Sequence, residues 1–265
     1  MSSAADVLPV QKAFSRQSGT FDAIDVANPL IGWVRDRVRS ECLDHISPGD
    51  RLLELNAGTG IDSVFFAEHG IQVLATDQAP GMLAQLRAKQ RAGLPLDVKA
   101  LSFLDLEQLK GEQFDHIFSN FGGLNCTDRL ADVLREAHLL LRPGGHMHLV
   151  MMPRICLWEM AWVFKGQFRK AFRRLRKGGT MAHLEGMHFP CHYYDPGVVA
   201  GMVPGFSVRA IKGLSVFYPP PHMQGKAERW PRLTRIAELL ENGLCCRWPF
   251  RAWGDHYLLI VQRRQ

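Results

Sequence analysis

The sequence predicts an α/β protein built on an open, mostly parallel sheet with helices on both faces. Three observations carry that expectation. The stretch Leu52-Leu-Glu-Leu-Asn-Ala-Gly-Thr-Gly60 is an apolar run that ends in an acid and breaks into a small, glycine-rich turn. A second apolar run, Val73–Asp77, also ends in an acid. Short apolar runs and helix-compatible stretches then alternate as far as Met151, the order expected of linked βαβ units.

The elements follow in order. Leu52–Leu55 is the first strand, and Ile61–His69 is helix-compatible. Between them, Gly58 and Gly60 lack a Cβ, so backbone can approach a ligand or take positive φ without strain. Val73–Asp77 is the second strand, which brings Glu54 and Asp77 to the carboxyl edge of the sheet, where open α/β sheets bind ligands. Pro80 opens a helix running to about Arg91. Lys99–Asp105 closes the third strand and the loop after it. Phe114–Asn120 is the fourth strand, leading into the loop Phe121–Cys126. A helix over Asp128–Leu141 stops at Arg142-Pro-Gly-Gly145, and His146–Met151 is the fifth strand.

On these residues the chain resembles the class I S-adenosylmethionine-dependent methyltransferases of small-molecule type, well over residues 20–152 and more loosely beyond. The first motif of that family is an acid, any residue, then Gly-x-Gly-x-Gly. Here it reads Glu54-Leu-Asn56-Ala57-Gly58-Thr-Gly60, with asparagine, the residue best tolerated at positive φ after glycine, in the first glycine position. The resemblance implies a Rossmann-like fold with a seven-stranded, mostly parallel sheet, one antiparallel strand at its edge and a helical insertion after the fifth strand. It implies that Glu54 and the 56–60 backbone hold the methionine end of the cofactor and that Asp77, with Gln78 and Met82 behind it, holds the ribose. Serine stands where the family has an acid near the adenine, so Ser102 and Phe103, or Asp105, take that contact. Asn120 is expected against cofactor or acceptor, with Asn125 and Cys126 as secondary candidates. No Pro-Pro-aromatic follows Asn120, so the pattern of enzymes methylating nucleic-acid bases is absent.

A nicotinamide-dependent dehydrogenase would share the glycine turn and the second acid. Its loop must present a helix amino terminus to a pyrophosphate, and Asp62 would oppose that charge. A sulfonium cofactor, lacking phosphate, is favoured by nearby carboxylates. A cofactor-binding protein without catalysis and a membrane-recruited scaffold are the readings from other classes.

Length fits a single domain over residues 1–265: an amino-terminal helical lid (1–45), a cofactor-binding core (46–152), a basic and aromatic insertion (153–195) and the carboxyl-terminal part of the sheet (196–265). No apolar run is long enough to span a bilayer, and MSSAADVLPV has no charged stretch followed by an apolar one, so a cytoplasmic location, free or peripheral to the membrane, is expected. The six cysteines form no Cys-x-x-Cys pair and point to neither zinc nor a disulfide framework. No metal is expected.

The net charge of +6 is local. Lys165, Arg169, Lys170, Arg173, Arg174, Arg176 and Lys177 exceed it without an intervening acid, leaving the rest of the chain close to neutral. Trp158, Trp162, Phe168, Phe172 and Leu175 recur beside them at spacings mostly of three or four, an amphipathic stripe. Three readings stay open for 158–177: a helix packed on the sheet, a peripheral helix on an anionic membrane, and, ranked last, a nucleic-acid contact.

Phe14–Ser40 is expected to be helical, and Phe21 to touch the acceptor from the lid. Asp195–Met202 is a short helix, Phe206–Leu214 contains a strand, Pro219-Pro-Pro221 is a rigid loop, Pro231–Glu241 is a helix ended by Gly243, and residues 256–263 form a last strand. Methyl transfer from a sulfonium needs positioning and exclusion of water, and a base only if the acceptor must lose a proton. The cluster His183, His188, His192, Tyr193 and Tyr194 is the candidate source of that base, with His188, His192 and Tyr193 foremost. Aromatic and methionine side chains of the insertion, Trp158 and Trp162 among them, imply an apolar substrate pocket, hence a small hydrophobic or lipid-like acceptor methylated on oxygen or carbon.

Overall fold

The computed structural model describes residues 4–202 and 205–265; residues 1–3 of the expected lid and 203–204 of the carboxyl-terminal part lie outside the described residues. Helices α1 (Ala4–Ala27) and α2 (Pro29–Leu43) precede β1 (Arg51–Leu55), α3 (Ile61–Glu68), β2 (Gln72–Asp77), α4 (Pro80–Ala88), β3 (Leu96–Ala100), β4 (Phe114–Ser119), α5 (Leu130–Leu140) and β5 (Leu141–Met151). The insertion holds α6 (Leu157–Met160), α7 (Phe168–Ala171), β6 (Thr180–Leu184) and β7 (Met187–Cys191). The chain then runs through α8 (Pro196–Gly201), β8 (Phe206–Leu214), α9 (Gln224–Arg229), α10 (Pro231–Leu244) and β9 (His256–Arg263).

Seven strands form one sheet in the order β3-β2-β1-β4-β5-β9-β8. β1 to β5 pair in parallel and β9 runs antiparallel to both β5 and β8. The antiparallel strand therefore lies one place inside the edge rather than on it. Successive residues of β1 serve opposite faces: Leu53 and Leu55 pack with α5 residues such as Val133 and Leu134, while Leu52 packs with Val38 of α2 and Phe66 of α3. Burial on both faces is why the parallel strands read as continuous apolar runs.

Several boundaries differ from expectation. α5 ends at Leu140, and Arg142-Pro-Gly-Gly145 lies inside β5 as an irregularity: Phe114 pairs with Leu141, and the register resumes at His116 with His146. Pro143 lacks the N–H a ladder needs, and Gly144 adopts φ +83°, so the extra residues bulge out of the strand. The single helical stretch expected near the amino terminus is two helices, divided at Asn28, whose side chain accepts from Leu30 N–H as the cap of α2. Gly243 does not end α10, which runs on to Leu244.

The insertion departs most. The amphipathic stripe expected over 158–177 is not one helix but two single-turn helices and 3₁₀ turns, interrupted at Gly166 (φ +69°), and the part of the insertion that follows it forms the β6–β7 hairpin. Arg174, assigned by its neighbours to a basic surface, is buried. It donates to Glu159 Oε1 at 2.8 Å, Asp255 Oδ1 at 2.7 Å and the Asp255 carbonyl at 2.9 Å.

Candidate active site

The carboxyl ends of β1, β2 and β4 meet where the strand order reverses direction, the position at which open α/β sheets form a crevice. A cavity of about 310 Å³ lies there. Asn56 and Gly58 line it from the β1–α3 turn, Asp77 and Gln78 from the end of β2, Met82 from α4, Phe103 from the loop after β3, and Asn120 and Phe121 from the end of β4. Its cover is α1, which contributes Val10, Phe14, Phe21 and Ile24 along one face. The cover is fastened closely. At Gly81, the second residue of α4, an added Cβ would lie 2.5 Å from the Ser15 carbonyl oxygen, so glycine is what lets α1 settle on α4.

The β1–α3 turn explains its own sequence. Asn56 takes φ +49°, as its residue type permits, and its amide ties two loops together: Nδ2 donates to the Asn120 carbonyl at 3.2 Å and Oδ1 accepts from Ser119 Oγ at 2.7 Å. A glycine at 56 would lack both bonds. Gly60 opens α3 at φ +82°, and a Cβ there would lie 2.1 Å from Leu86 Cδ1.

Asp77 is the polar end of the cavity. Its carboxylate accepts from Gly58 N–H at 2.9 Å and Ala79 N–H at 2.8 Å. Burial pushes its pKa upward, and those backbone donors offset only part of the effect. Glu54 stands behind the turn, fully buried, accepting from Ser63 Oγ at 2.5 Å, and does not line the cavity. Burial, then the charge of Asp62, raise its pKa to about 8. Asp62 itself is bound by Arg35, by Arg39 Nε at 2.8 Å and by Asn120 Nδ2 at 2.9 Å, and Arg35 Nη2 reaches on to Asp25 of α1 at 2.5 Å. The charge that argued against a phosphate is thus already paired inside the protein.

Glu54 gives a pH prediction. Its folded pKa lies above its ordinary value, so the folded state holds the extra proton and loses stability as pH rises from about 4.5 to about 8. Thermal melts of Glu54→Gln are expected to be flatter across that window and to exceed wild type at pH 8. Equal slopes in both proteins would refute the assignment.

Not all expected residues gather here. Phe21, Asn56, Gly58, Asp77, Gln78, Met82, Phe103 and Asn120 line the cavity; Glu54, Ala57, Gly60 and Ser102 do not, the first three forming its supporting turn. Ser102 Oγ accepts from Leu104 N–H at 3.2 Å and shapes the loop that carries Phe103. Asn125 is buried and clamps the carbonyls of Met152 and His192. Trp158, Trp162, His188, His192 and Tyr193 are not among the lining residues. The hairpin carrying His183 and His188 packs on α1 through Phe189 against Phe14, and Tyr193 Oη pairs with Thr180 Oγ1 at 3.0 Å. Cys126 does line the cavity, with its thiol pushed up to about 12 by burial and by Cys191. Arg35 and Asp25 were missed, since nothing local marks them. The α1 face was legible in principle: Val10, Phe14, Gln17, Phe21 and Ile24 recur at spacings of three and four.

A family profile described as a methyltransferase domain matches residues 52–145. The demethylmenaquinone methyltransferase of Mycobacterium sp. (strain KMS) is 31% identical over 164 residues, 59% of this chain and 68% of that protein. The malonyl-(acyl-carrier protein) O-methyltransferase of Serratia marcescens is 34% identical over 148 residues, 55% of this chain and 54% of that protein. Among solved structures, 1,6-didemethyltoxoflavin-N1-methyltransferase of Burkholderia thailandensis superposes with a TM-score of 0.58 at 15% identity, covering 98% of this chain and 89% of that one.

Proposed function

The chain belongs to the class I S-adenosylmethionine-dependent methyltransferases, and from that premise we propose that it methylates a small, hydrophobic or lipid-like acceptor, on oxygen or carbon, in the cavity beneath α1. The lining fits the cofactor. Asp77 offers carboxylate oxygens to ribose hydroxyls, Gly58 presents bare backbone, and Met82, Leu101 and Phe103 provide apolar surface for a nucleoside base. When bound, the cofactor supplies an activated methyl group.

The observation that carries the acceptor class is the cover: Val10, Phe14, Phe21 and Ile24 present apolar surface to the cavity, beside the polar Gln11, Gln17 and Asp25 of the same helix. Such a wall excludes water and positions an apolar molecule, which is most of what in-line attack on a sulfonium requires. The titratable side chains lining the cavity are Asp25, Arg35, Asp77 and Cys126. Asp25 is engaged by Arg35, Asp77 by the turn, and the Cys126 thiol stays protonated at neutral pH. None is an unengaged base, so the acceptor suits this site if its own oxygen or carbon acid ionises readily. Of the relatives, one carries a name for demethylmenaquinone, which agrees with an apolar acceptor, and another for malonyl-(acyl-carrier protein), whose malonyl group is polar.

A peripheral contact with an anionic membrane at 158–177 is part of the same proposal. Phe164, Phe168, Phe172 and Leu175 are exposed among Lys165, Arg169 and Lys170. No helix among the described residues is long and apolar enough to cross a membrane.

Incubating lipid and metabolite extracts with methyl-labelled cofactor tests the reading. Label is expected in an organic-extractable small molecule, identified by mass spectrometry. Label confined to protein or nucleic acid would overturn the acceptor class.

A further inference from the structure

Helix α10 is built inside out. Its two acids turn inward. Glu241 is fully buried and accepts three backbone N–H bonds, from Val216 at 3.2 Å, Phe217 at 2.7 Å and Tyr218 at 3.1 Å. Glu238 accepts from Trp33 Nε1 at 2.9 Å, and Asn242 from Arg37 at 2.6 Å. These bonds fix the rotation of the helix, because the backbone donors of the 216–218 turn have the Glu241 carboxylate as their acceptor. The consequence is an outward face of Leu233, Ile236, Leu239 and Leu240, which are 60%, 53%, 66% and 45% exposed, flanked by Trp230 and by Trp248 at 80%. An ordinary amphipathic surface helix has the opposite arrangement, and a contiguous exposed apolar face of this kind marks an interaction site.

Charge identifies the occupant. Both acids of α10 point inward, so the exposed rim is basic: Lys226, Arg229, Arg232 and Arg235, against the single exposed acid Glu228. Two copies joined through this face would bring like charges together. An anionic lipid surface complements it, and aliphatic side chains and arginines on one exposed helix with tryptophans beside its ends are a composition that settles at a membrane interface. The position is apt as well. Pro221, which lines the cavity, leads directly into α9 and α10, and Gln224 of α9 donates to the carbonyl of Ala27 at the end of α1.

We propose that the outward face of α10 docks on anionic lipid beside the mouth of the cavity, so that a lipid-like acceptor passes from bilayer to active site without crossing bulk water; this deepens the acceptor reading above and rests on it. The test is flotation of the full chain with vesicles of phosphatidylcholine and phosphatidylglycerol, against phosphatidylcholine alone. Wild type is expected to float with the anionic vesicles and to be released by high salt. Ile236→Glu with Leu240→Glu is expected to lower partitioning about tenfold or more, because two apolar anchors are lost and two repulsive charges gained. Calorimetry of S-adenosylmethionine on the same samples reports the fold, and unchanged affinity in the double variant is expected. Flotation of that variant equal to wild type overturns the proposal, as does a wild-type dimer in light scattering that the variant dissolves. Failure of wild type to bind the cofactor instead strikes the methyltransferase site, and is read separately from flotation.

Discussion

Asp77→Ala weakens S-adenosylmethionine binding at least about tenfold, or about 1.4 kcal/mol, in titration calorimetry. The carboxylate does two things that alanine cannot. It accepts from Gly58 and Ala79 N–H and so holds the turn in its cavity-lining conformation, and under the proposed function its oxygens take the ribose hydroxyls. A bond to a charged acceptor is worth about 1.5–3 kcal/mol, so tenfold is the lower end of the expected loss. The pH dependence has a definite sign. Burial raises the Asp77 pKa, so affinity falls as pH drops through it and the carboxylate protonates. In Asp77→Ala that acid-side decline disappears. A wild-type dissociation constant in the variant would remove Asp77 from the site, whatever the melting temperature.

Arg174→Ala destabilises the protein by about 3–5 kcal/mol, a fall in melting temperature of roughly 10 °C for a domain of this size. Arg174 is the cation of a buried cluster with Glu159 and Asp255, and it also donates to the Pro153 and Asp255 carbonyls. Truncation leaves two acids and two carbonyls buried with fewer donors. Burial would push the Asp255 carboxyl up, but His256 and Arg174 more than offset that and hold it far below the ordinary carboxylate range. Glu159 is likewise lowered, with Arg173 and Arg174 overcoming its burial. A depressed acid contributes stability that is present above its ordinary pKa of about 4 and is lost as pH falls through the folded value. The gap between wild type and variant is therefore widest at neutral pH and narrows in acid. Arg174→Lys keeps the charge without the planar fork and is expected to fall between them. A neutral-pH melt within a degree or so of wild type would show that the cluster contributes little.

The difference between these two residues is instructive. Asp77 was legible because its role is set locally: a short apolar run ending in an acid, next to another such run, can be brought to one sheet edge in few ways. Glu54, Gly58, Asn56 and Asn120 share that property, since each sits at a strand end or in a tight turn whose backbone requirements show in residue type. Arg174 had the opposite fate. Its neighbours placed it in a basic surface segment, yet the chain folds it against Asp255, 81 residues away. The insertion misled for a related reason. Spacings of three and four over 158–177 suit a helix, but Gly166 and the contacts of Arg174 break it, because tertiary bonds outweigh the small propensity differences that periodicity reports.

The amino-acid sequence by itself determined the strands of the cofactor half and the acids at its carboxyl edge, because these follow from short-range pattern and from the parallel sheet's need to bury both faces, and its motifs carried the resemblance to the family. Only the tertiary structure decided that Arg35 links Asp25 to Asp62 beside the cavity that the expected lid covers, that the histidine hairpin lies outside that cavity, and that α10 faces its leucines outward. Each of these depends on a polar or packing partner distant in sequence, and no local pattern encodes which partner a side chain will meet.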